Sequence, residues 1–421
     1  MSHENLQKVR LDKFVQGGQA LGLLESGKKI FVWGGLPTEL VEVRVTRSKS
    51  SYAEGIVENI IEPSNERIEP KEPASYLSTS PWQIMDYNYE TQVKKQLVID
   101  ASEQHSVVLP EFEVANEVDE SSSYGYRNKM EYSFYGDEKG VHLALFKRGT
   151  HYKSIVEGSK LADPEIDRSA QEILELLKSK NVRAGDLKSL IIRTSNNGDN
   201  VGCLFVKTED FPTIDVPSIF TGFSVYHSNP KSPASVPTKL LQESGKNFLS
   251  ESINGNSINF GSLGFFQVNI PVFEQAIQRI SKYVGNKQII DMYGGVGTIT
   301  TALGSKNATI IESDSANIEY AQVNTKDLDA QIIHESGEKA LEHIAKDKIL
   351  VVDPPRAGLH HKVVGAINEV KPKSLVYLSC NPVTMMRDLS LIDNYKIVDF
   401  TVYNFFPRTP HIECLAVLEL K

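Results

Sequence analysis

A multidomain α/β chain is the fold class this sequence predicts, and three observations predict it. Its 421 residues exceed what one hydrophobic core supports. From Val9 to Ile61, short and partly alternating apolar runs are broken by glycine turns. Beyond about residue 262 the pattern changes to short continuous apolar runs, several ending in a polar residue, with helical stretches between them. The first pattern reads as a small β-barrel. The last reads as a parallel, doubly wound sheet buried on both faces. The stretch between them reads as a mixed α+β domain.

Composition narrows the class. Hydrophobic residues make up 40% and charged residues 24%, ordinary values for a globular protein. No apolar run approaches membrane-spanning length, and Met1 to Lys13 is charged throughout, so neither a membrane span nor a signal peptide is expected. The three cysteines, Cys203, Cys380 and Cys414, are too few for a disulfide framework or for the four thiolates of an iron–sulfur cluster, which suits a reducing cytoplasm. A net charge of −9 argues against nucleic-acid binding over the whole surface and leaves room for a local basic groove.

Taken in order, residues 1–63 form the barrel domain. Lys29 to Trp33 and Leu40 to Val45 are two of its strands, separated from their neighbours by Gly17-Gly18, Gly34-Gly35 and Ser48 to Ser51. Arg44, Arg47 and Lys49 lead from one strand into a loop with Tyr52, and charge with an aromatic on a small barrel suits RNA; the plain alternative is a solvated edge. Pro63 to Pro73 is rich in proline and charge and reads as a linker. Residues 74–262 form the central domain, with a helical pattern from Tyr89, an acidic loop at 117–123, and a β-rich region opening at Tyr126. Pro164 to Lys178 supplies it with an amphipathic helix. Residues 263–421 form the third domain, whose strands are Ile289 to Asp291, Thr309 to Glu312, Ile349 to Asp353 and Leu375 to Ser379.

Two constellations in this last domain carry chemistry. Asp291-Met292-Tyr293-Gly294-Gly295-Val296-Gly297-Thr298 follows its first strand, where glycines let the backbone turn tightly against a ligand. Glu312 ends the next strand and can accept from both hydroxyls of a ribose. Asp353 ends the following one, before Pro354-Pro355-Arg356, and can meet a cationic group. Thr300 stands where a dinucleotide fingerprint needs its third glycine, so S-adenosylmethionine fits better than NAD. The second constellation is Ser379-Cys380-Asn381-Pro382, where Asn-Pro forces a turn and holds a thiol at a strand tip. A thiolate there can add to carbon 6 of a pyrimidine and so activate carbon 5. Glu413, in Thr409-Pro410-His411-Ile412-Glu413, is the candidate base for the carbon-5 proton; taken singly, Glu413 also reads as a surface carboxylate and Cys380 as an inert buried thiol. His411 is either a second acid or base or a loop-orienting residue. Cys203 and Cys414 lie in apolar strand patterns and are assigned to packing.

These segments, together with Tyr126-Arg127-Asn128-Lys129-Met130-Glu131 and Phe265-Phe266-Gln267-Val268-Asn269, occur in an order that resembles the bacterial RNA uracil-5-methyltransferases, specifically the 23S ribosomal RNA branch with an N-terminal TRAM domain. The resemblance covers nearly the full length. It implies an OB-like TRAM barrel, a central α+β domain and a Rossmann-like methyltransferase domain, with a helix near 92–111 packing on the last. It implies Cys380 as nucleophile and Glu413 as proton acceptor. Gln267, Tyr293, Gly295, Thr298, Glu312, Ser336 and Asp353 become cofactor contacts, and Arg127 with Lys129 an RNA contact. Many relatives bind a [4Fe–4S] cluster, but Ser78, Ser80 and Ser159 stand near the expected cysteines, so no cluster or other metal is expected. Gly294 replaces a cysteine common in that loop, a change expected to be tolerated. The expectation is a cytoplasmic monomer that methylates carbon 5 of a uridine in ribosomal RNA. Transfer RNA, a cytosine-5 reaction and a non-catalytic assembly factor are the alternatives.

Overall fold

The structure, a computed structural model, describes residues 6–115, 120–232 and 235–421. Met1 to Asn5, at the start of the charged N-terminal stretch, and residues 117–119 of the acidic stretch lie outside the described residues.

Strands β1 (Gln7–Phe14), β2 (Ala20–Leu23), β3 (Lys29–Trp33), β4 (Leu40–Ser48) and β5 (Tyr52–Glu62) close into a barrel in the order β1-β2-β3-β5-β4. Alternation closes it: Val9, Leu11, Val41 and Val43 point inwards while their neighbours meet solvent. The expected linker at 63–73 is pinned to this barrel. Arg67 forks onto the fully buried Glu39 at 2.5 and 2.8 Å and onto the Gly34 carbonyl.

A short helix, α1 (Tyr76–Thr79), leads to α2 (Tyr87–Gln104), capped by Asp86, whose carboxylate accepts from the Asn88 and Tyr89 amides. Val93, Leu97, Val98 and Ala101 of α2 share one core with Phe14 of the barrel and with the C-terminal sheet. After α2, β6 (Val114–Ala115) joins that same sheet. Residues 87–115 therefore pack with the last domain, although chain order groups them with the central one.

The central sheet has seven strands: β7 (Lys129–Asp137), β8 (Gly140–Phe146), β9 (Lys153–Ile155), β10 (Leu187–Thr194), β11 (Asn200–Val206), β12 (Gly222–His227) and β13 (Lys239–Gly245), ordered β13-β12-β11-β10-β7-β8-β9. Helix α3 (Pro164–Ser179) covers one face through Ile166, Ala170, Ile173 and Leu177. A hairpin follows, β14 (Phe248–Ile253) with β15 (Asn256–Gly261). Its Leu249, Ile253, Ile258 and Phe260 belong to the core of the last domain, so the packing boundary falls before the hairpin and not at 262.

The last domain begins with α4 (Ile270–Val284) and continues through β16 (Ile289–Met292), α5 (Thr298–Ala302), β17 (Thr309–Glu312), α6 (Ser315–Asn324), β18 (Gln331–His334), β19 (Ile349–Val352), α7 (His361–Val370), β20 (Ser374–Ser379), α8 (Pro382–Leu391), β21 (Tyr395–Tyr403) and β22 (Glu413–Leu420). Its eight-stranded sheet is ordered β18-β17-β16-β19-β20-β22-β21-β6. The first five strands are parallel, and β22 returns antiparallel between β20 and β21. Strands β16, β19 and β20 are buried along their whole length, as the unbroken apolar runs require. No helix among the described residues is long and apolar enough to cross a membrane.

Candidate active site

The first opening lies at the carboxyl ends of β16, β17 and β19. After β16 the chain bends through Tyr293, Gly295 and Gly297, all with positive φ (65°, 56° and 76°), before entering α5. Tyr293 has no glycine's freedom, so its left-handed backbone is strain held at a ligand-facing loop. Gly294 admits no side chain without movement: a Cβ there would lie 2.7 Å from the Ile310 Cγ2. Glu312 ties the loop down, accepting from the Gly295 amide at 2.8 Å and from the Ser313 and Asp314 amides at 2.8 and 2.7 Å.

Asp291 lies beneath. One of its oxygens accepts from the Thr300 amide and hydroxyl, while Oδ1 is buried with no hydrogen-bond partner. Burial pushes its carboxyl up to about 6. Burial, helped by the charge of Asp291, pushes Asp353 up to about 7. Asp353 lines the cleft, and a cationic ligand there, such as a sulfonium with an ammonium group, favours its ionised form. Gln267, Tyr293, Gly295, Thr298 and Asp353 line this cleft together. Glu312 meets it through the Gly295 amide. Ser336 does not line it; its hydroxyl donates to Glu338 on the next turn. The cleft is also lined by Asn317, Phe273 and Ile299, which carried no expectation, and by Phe265, which is 73% exposed. Phe265 was visible only as part of a motif.

The second opening holds Cys380. Asn381 caps α8 through the Val383 amide and donates to the Arg356 carbonyl at 2.9 Å, which fixes the turn. Strands β20 and β22 pair with Ser379 opposite Cys414. That is the last pair of the ladder, and the next residues on either side of it are Cys380 and Glu413, close enough for the Glu413 carboxylate to act on the thiol. Burial raises the Cys380 thiol to about 11, with the carboxylates of Glu413 and Asp353 adding to it and Arg356 opposing. Burial, then Asp353, raises Glu413 well above the usual carboxylate range. Arg356 donates to His411 Nδ1 at 3.2 Å, and burial with this cation drives His411 down to about 3, so the imidazole is neutral with its proton on Nε2. Cys203 and Cys414 are both buried.

The barrel reaches this opening. Gln16 and Gly17 line it beside Cys380, and Gly18 (φ 94°) lies so close to Pro410 that a Cβ would sit 2.2 Å from its Cβ. Thr79 lines both this opening and a larger groove over the central sheet, where Arg127, Lys129, Lys153, Lys188 and Lys207 gather. Arg127 Nε is buried without a partner, and burial beside Arg193 lowers Lys129 to about 8. Arg44, Arg47 and Lys49 line neither opening. Arg44 pairs with Glu58 at 2.6 Å and Arg47 with Glu54 at 3.6 Å, while Lys49 is exposed. Ser80 accepts from Gln83 and is fully buried; Ser159 is buried against α3, its amide donating to Asp167. Ser78 lines the groove. Among the described residues no cluster of His, Cys, Asp and Glu is suited to a metal ion.

The chain is similar to known proteins over most of its length. Residues 337–421 match the family described as tRNA (Uracil-5-)-methyltransferase, and residues 7–57 match the TRAM domain. An RNA methyltransferase of Thermotoga maritima is 28% identical, over 98% of this chain and 99% of its own. One from Fusobacterium nucleatum is 26% identical, over 98% and 96%. The solved structure of the Pyrococcus abyssi tRNA (uracil-54, C5)-methyltransferase in complex with S-adenosyl-L-homocysteine superposes with a TM-score of 0.76 at 23% identity, covering 98% of this chain and 100% of that one.

Proposed function

We propose that this chain, an S-adenosylmethionine-dependent RNA methyltransferase of the uracil-5 type with a TRAM domain, methylates carbon 5 of a specific uridine in 23S ribosomal RNA through a covalent cysteine adduct. The observation that carries the reading is that Cys380 and Glu413 flank the last β20–β22 pair and lie within electrostatic reach of each other and of Asp353.

The cofactor supplies an electrophilic methyl group. Gln267, Tyr293, Gly295, Thr298, Glu312 and Asp353 are the residues proposed to hold it. Asp353 acts on both openings: a positive charge beside it offsets the negative field that raises Cys380 and Glu413, so a filled cleft favours the thiolate and the ionised base. The Cys380 thiolate adds to carbon 6 of the uracil, and the ring electrons move onto the carbonyl as an enolate. Carbon 5 then takes the methyl group. Glu413 accepts the remaining carbon-5 proton, the sulfur–carbon bond breaks, and the thiolate returns. Arg356, the cation that opposes the raised thiol value, favours the thiolate. The neutral His411 holds Arg356 in place. Arg127 and Lys129 are the proposed contacts for the RNA backbone in the groove.

The TRAM match supports RNA as the substrate, and the choice of ribosomal RNA rests on the resemblance read from the sequence. Transfer RNA is the second reading, favoured by the family description and by the substrate named for the Pyrococcus protein. Mapping 5-methyluridine in ribosomal and transfer RNA from cells with and without the gene decides between them. Loss of a methyl group from transfer RNA alone overturns the ribosomal assignment, and 5-methylcytidine as product overturns the uracil one.

A further inference from the structure

The segment between β21 and β22 has no regular structure, yet it ends in Glu413 and carries His411. It is held by two side chains from α2, more than three hundred positions earlier in sequence. Glu90 accepts from the Arg408 amide through both oxygens, at 3.1 and 3.0 Å, and from Asn404 Nδ2 at 3.2 Å. Lys94 sits one turn along at 2.9 Å from Glu90 and donates to Asn404 Oδ1 at 2.6 Å and to the Phe406 carbonyl at 3.1 Å. Both side chains are fully buried.

Arg408, the residue these bonds grip, has a left-handed backbone (φ 62°) and a fully buried guanidinium. It donates to the Met85 carbonyl, Ser123 Oγ and Glu120 and lies over the rings of Tyr87 and Tyr124. A buried ion pair is a poor device for stability alone, because an apolar pair of the same volume avoids the desolvation penalty. It does fix geometry. Each lone pair and proton of Glu90 and Lys94 that is spent on this segment restricts where Glu413 can sit relative to Cys380.

We propose that Glu90 and Lys94 are positioning residues for the Cys380–Glu413 pair: they clamp the 404–408 segment so that the base stays opposite the thiol. The role in turnover rests on the function proposed above; the clamp itself does not. Loosening it slows removal of the carbon-5 proton more than it slows addition, so the covalent adduct accumulates.

The test uses the full-length Glu90→Gln/Lys94→Met double variant, which removes both charges together and leaves neither buried unpaired. Its first readout needs no RNA: alkylation of Cys380 by iodoacetamide at pH 8, with Cys203 and Cys414 buried. Release of the segment relieves the burial and carboxylate field that raise this thiol, and each unit by which its pKa falls makes alkylation about threefold faster, the gain in thiolate being partly offset by its lower nucleophilicity. A rise of about fivefold or more supports the clamp. An unchanged rate in a variant with wild-type near-ultraviolet circular dichroism overturns it. If the double variant does not fold, Asn404→Ala, which leaves the ion pair intact, is read the same way: faster alkylation supports the clamp and an unchanged rate overturns it. The second readout is methyl transfer to RNA, with kcat expected to fall at least about tenfold, KM for the cofactor unchanged, and adduct visible on denaturing gels. Faster alkylation together with no adduct or product from wild type would sink the proposed function and leave the clamp standing. Wild-type turnover by the double variant would sink the clamp's part in catalysis.

Discussion

The two ends of the catalytic sheet are built by different rules. Along the parallel half, the residues after β16 and β19 line the proposed cofactor cleft, and two short stretches, 265–267 and 293–298, supply most of its lining. At the antiparallel end nothing is local. Cys380 and Glu413 meet only because β22 turns back beside β20, and the segment before Glu413 is held by α2, the barrel turn at Gly18 and Trp82. A binding cleft can be assembled from a few short stretches of chain. A nucleophile and a base proposed to act on neighbouring carbons of one ring need tertiary geometry to align them.

The sharpest break in this comparison comes from Cys380→Ala. Methyl transfer to RNA should fall by at least about a thousandfold, while cofactor affinity, measured calorimetrically, stays within about twofold. Equal loss of both would merge the two ends into one site. Glu413→Gln should come next, lowering turnover by about a hundredfold or more but leaving addition intact, so that a protein–RNA adduct persists in denaturant. Absence of any adduct would remove Glu413 from the role of base.

The parallel end is tested by Glu312→Gln, which should weaken S-adenosylhomocysteine by about tenfold through lost hydrogen-bond acceptance. The carboxylates there also predict a pH dependence. Folding raises Asp353 to about 7 and Asp291 to about 6, so both favour the folded state when protonated. Their contribution is complete below the ordinary carboxylate range and is lost as pH rises through 6 to 7. Wild type without ligand should therefore lose thermal stability relative to Asp353→Asn between pH 5 and pH 8. S-adenosylmethionine, which gains from the ionised carboxylates, should bind more tightly over the same interval. A flat difference between the two proteins would show that Asp353 is not buried as described.

The smallest effects belong to the barrel. Arg44→Ala and Arg47→Ala remove cations that already have carboxylate partners, so each should change KM for RNA by less than about threefold at physiological salt. Lys129→Ala, in the groove, should change it by about fivefold or more and flatten its salt dependence.

How far the chain could be read in advance follows from the same contrast. The glycine loop, Glu312 and Asp353 were readable because their spacing follows the strand–helix repeat, and each sits where an apolar run stops. Cys380 was readable as a thiol before an Asn-Pro turn. The roles of Glu90, Lys94 and Arg408 were not, because a charged residue on a helix looks the same whether it faces water or a loop three hundred positions away. Arg44 and Arg47 show the converse: their charge was plain, and their partners on the next strand were not.

Apolar periodicity, glycine placement and the residues at strand ends were set down in the amino-acid order alone, because they express backbone sterics and burial that act over a few positions. The alignment of sulfur with carboxylate, the transfer of residues 87–115 and of the 248–261 hairpin to the catalytic core, and the barrel's entry into the Cys380 opening were settled only by the folded chain. Each depends on which buried surfaces meet across long separations, and that choice is made by packing of the whole molecule.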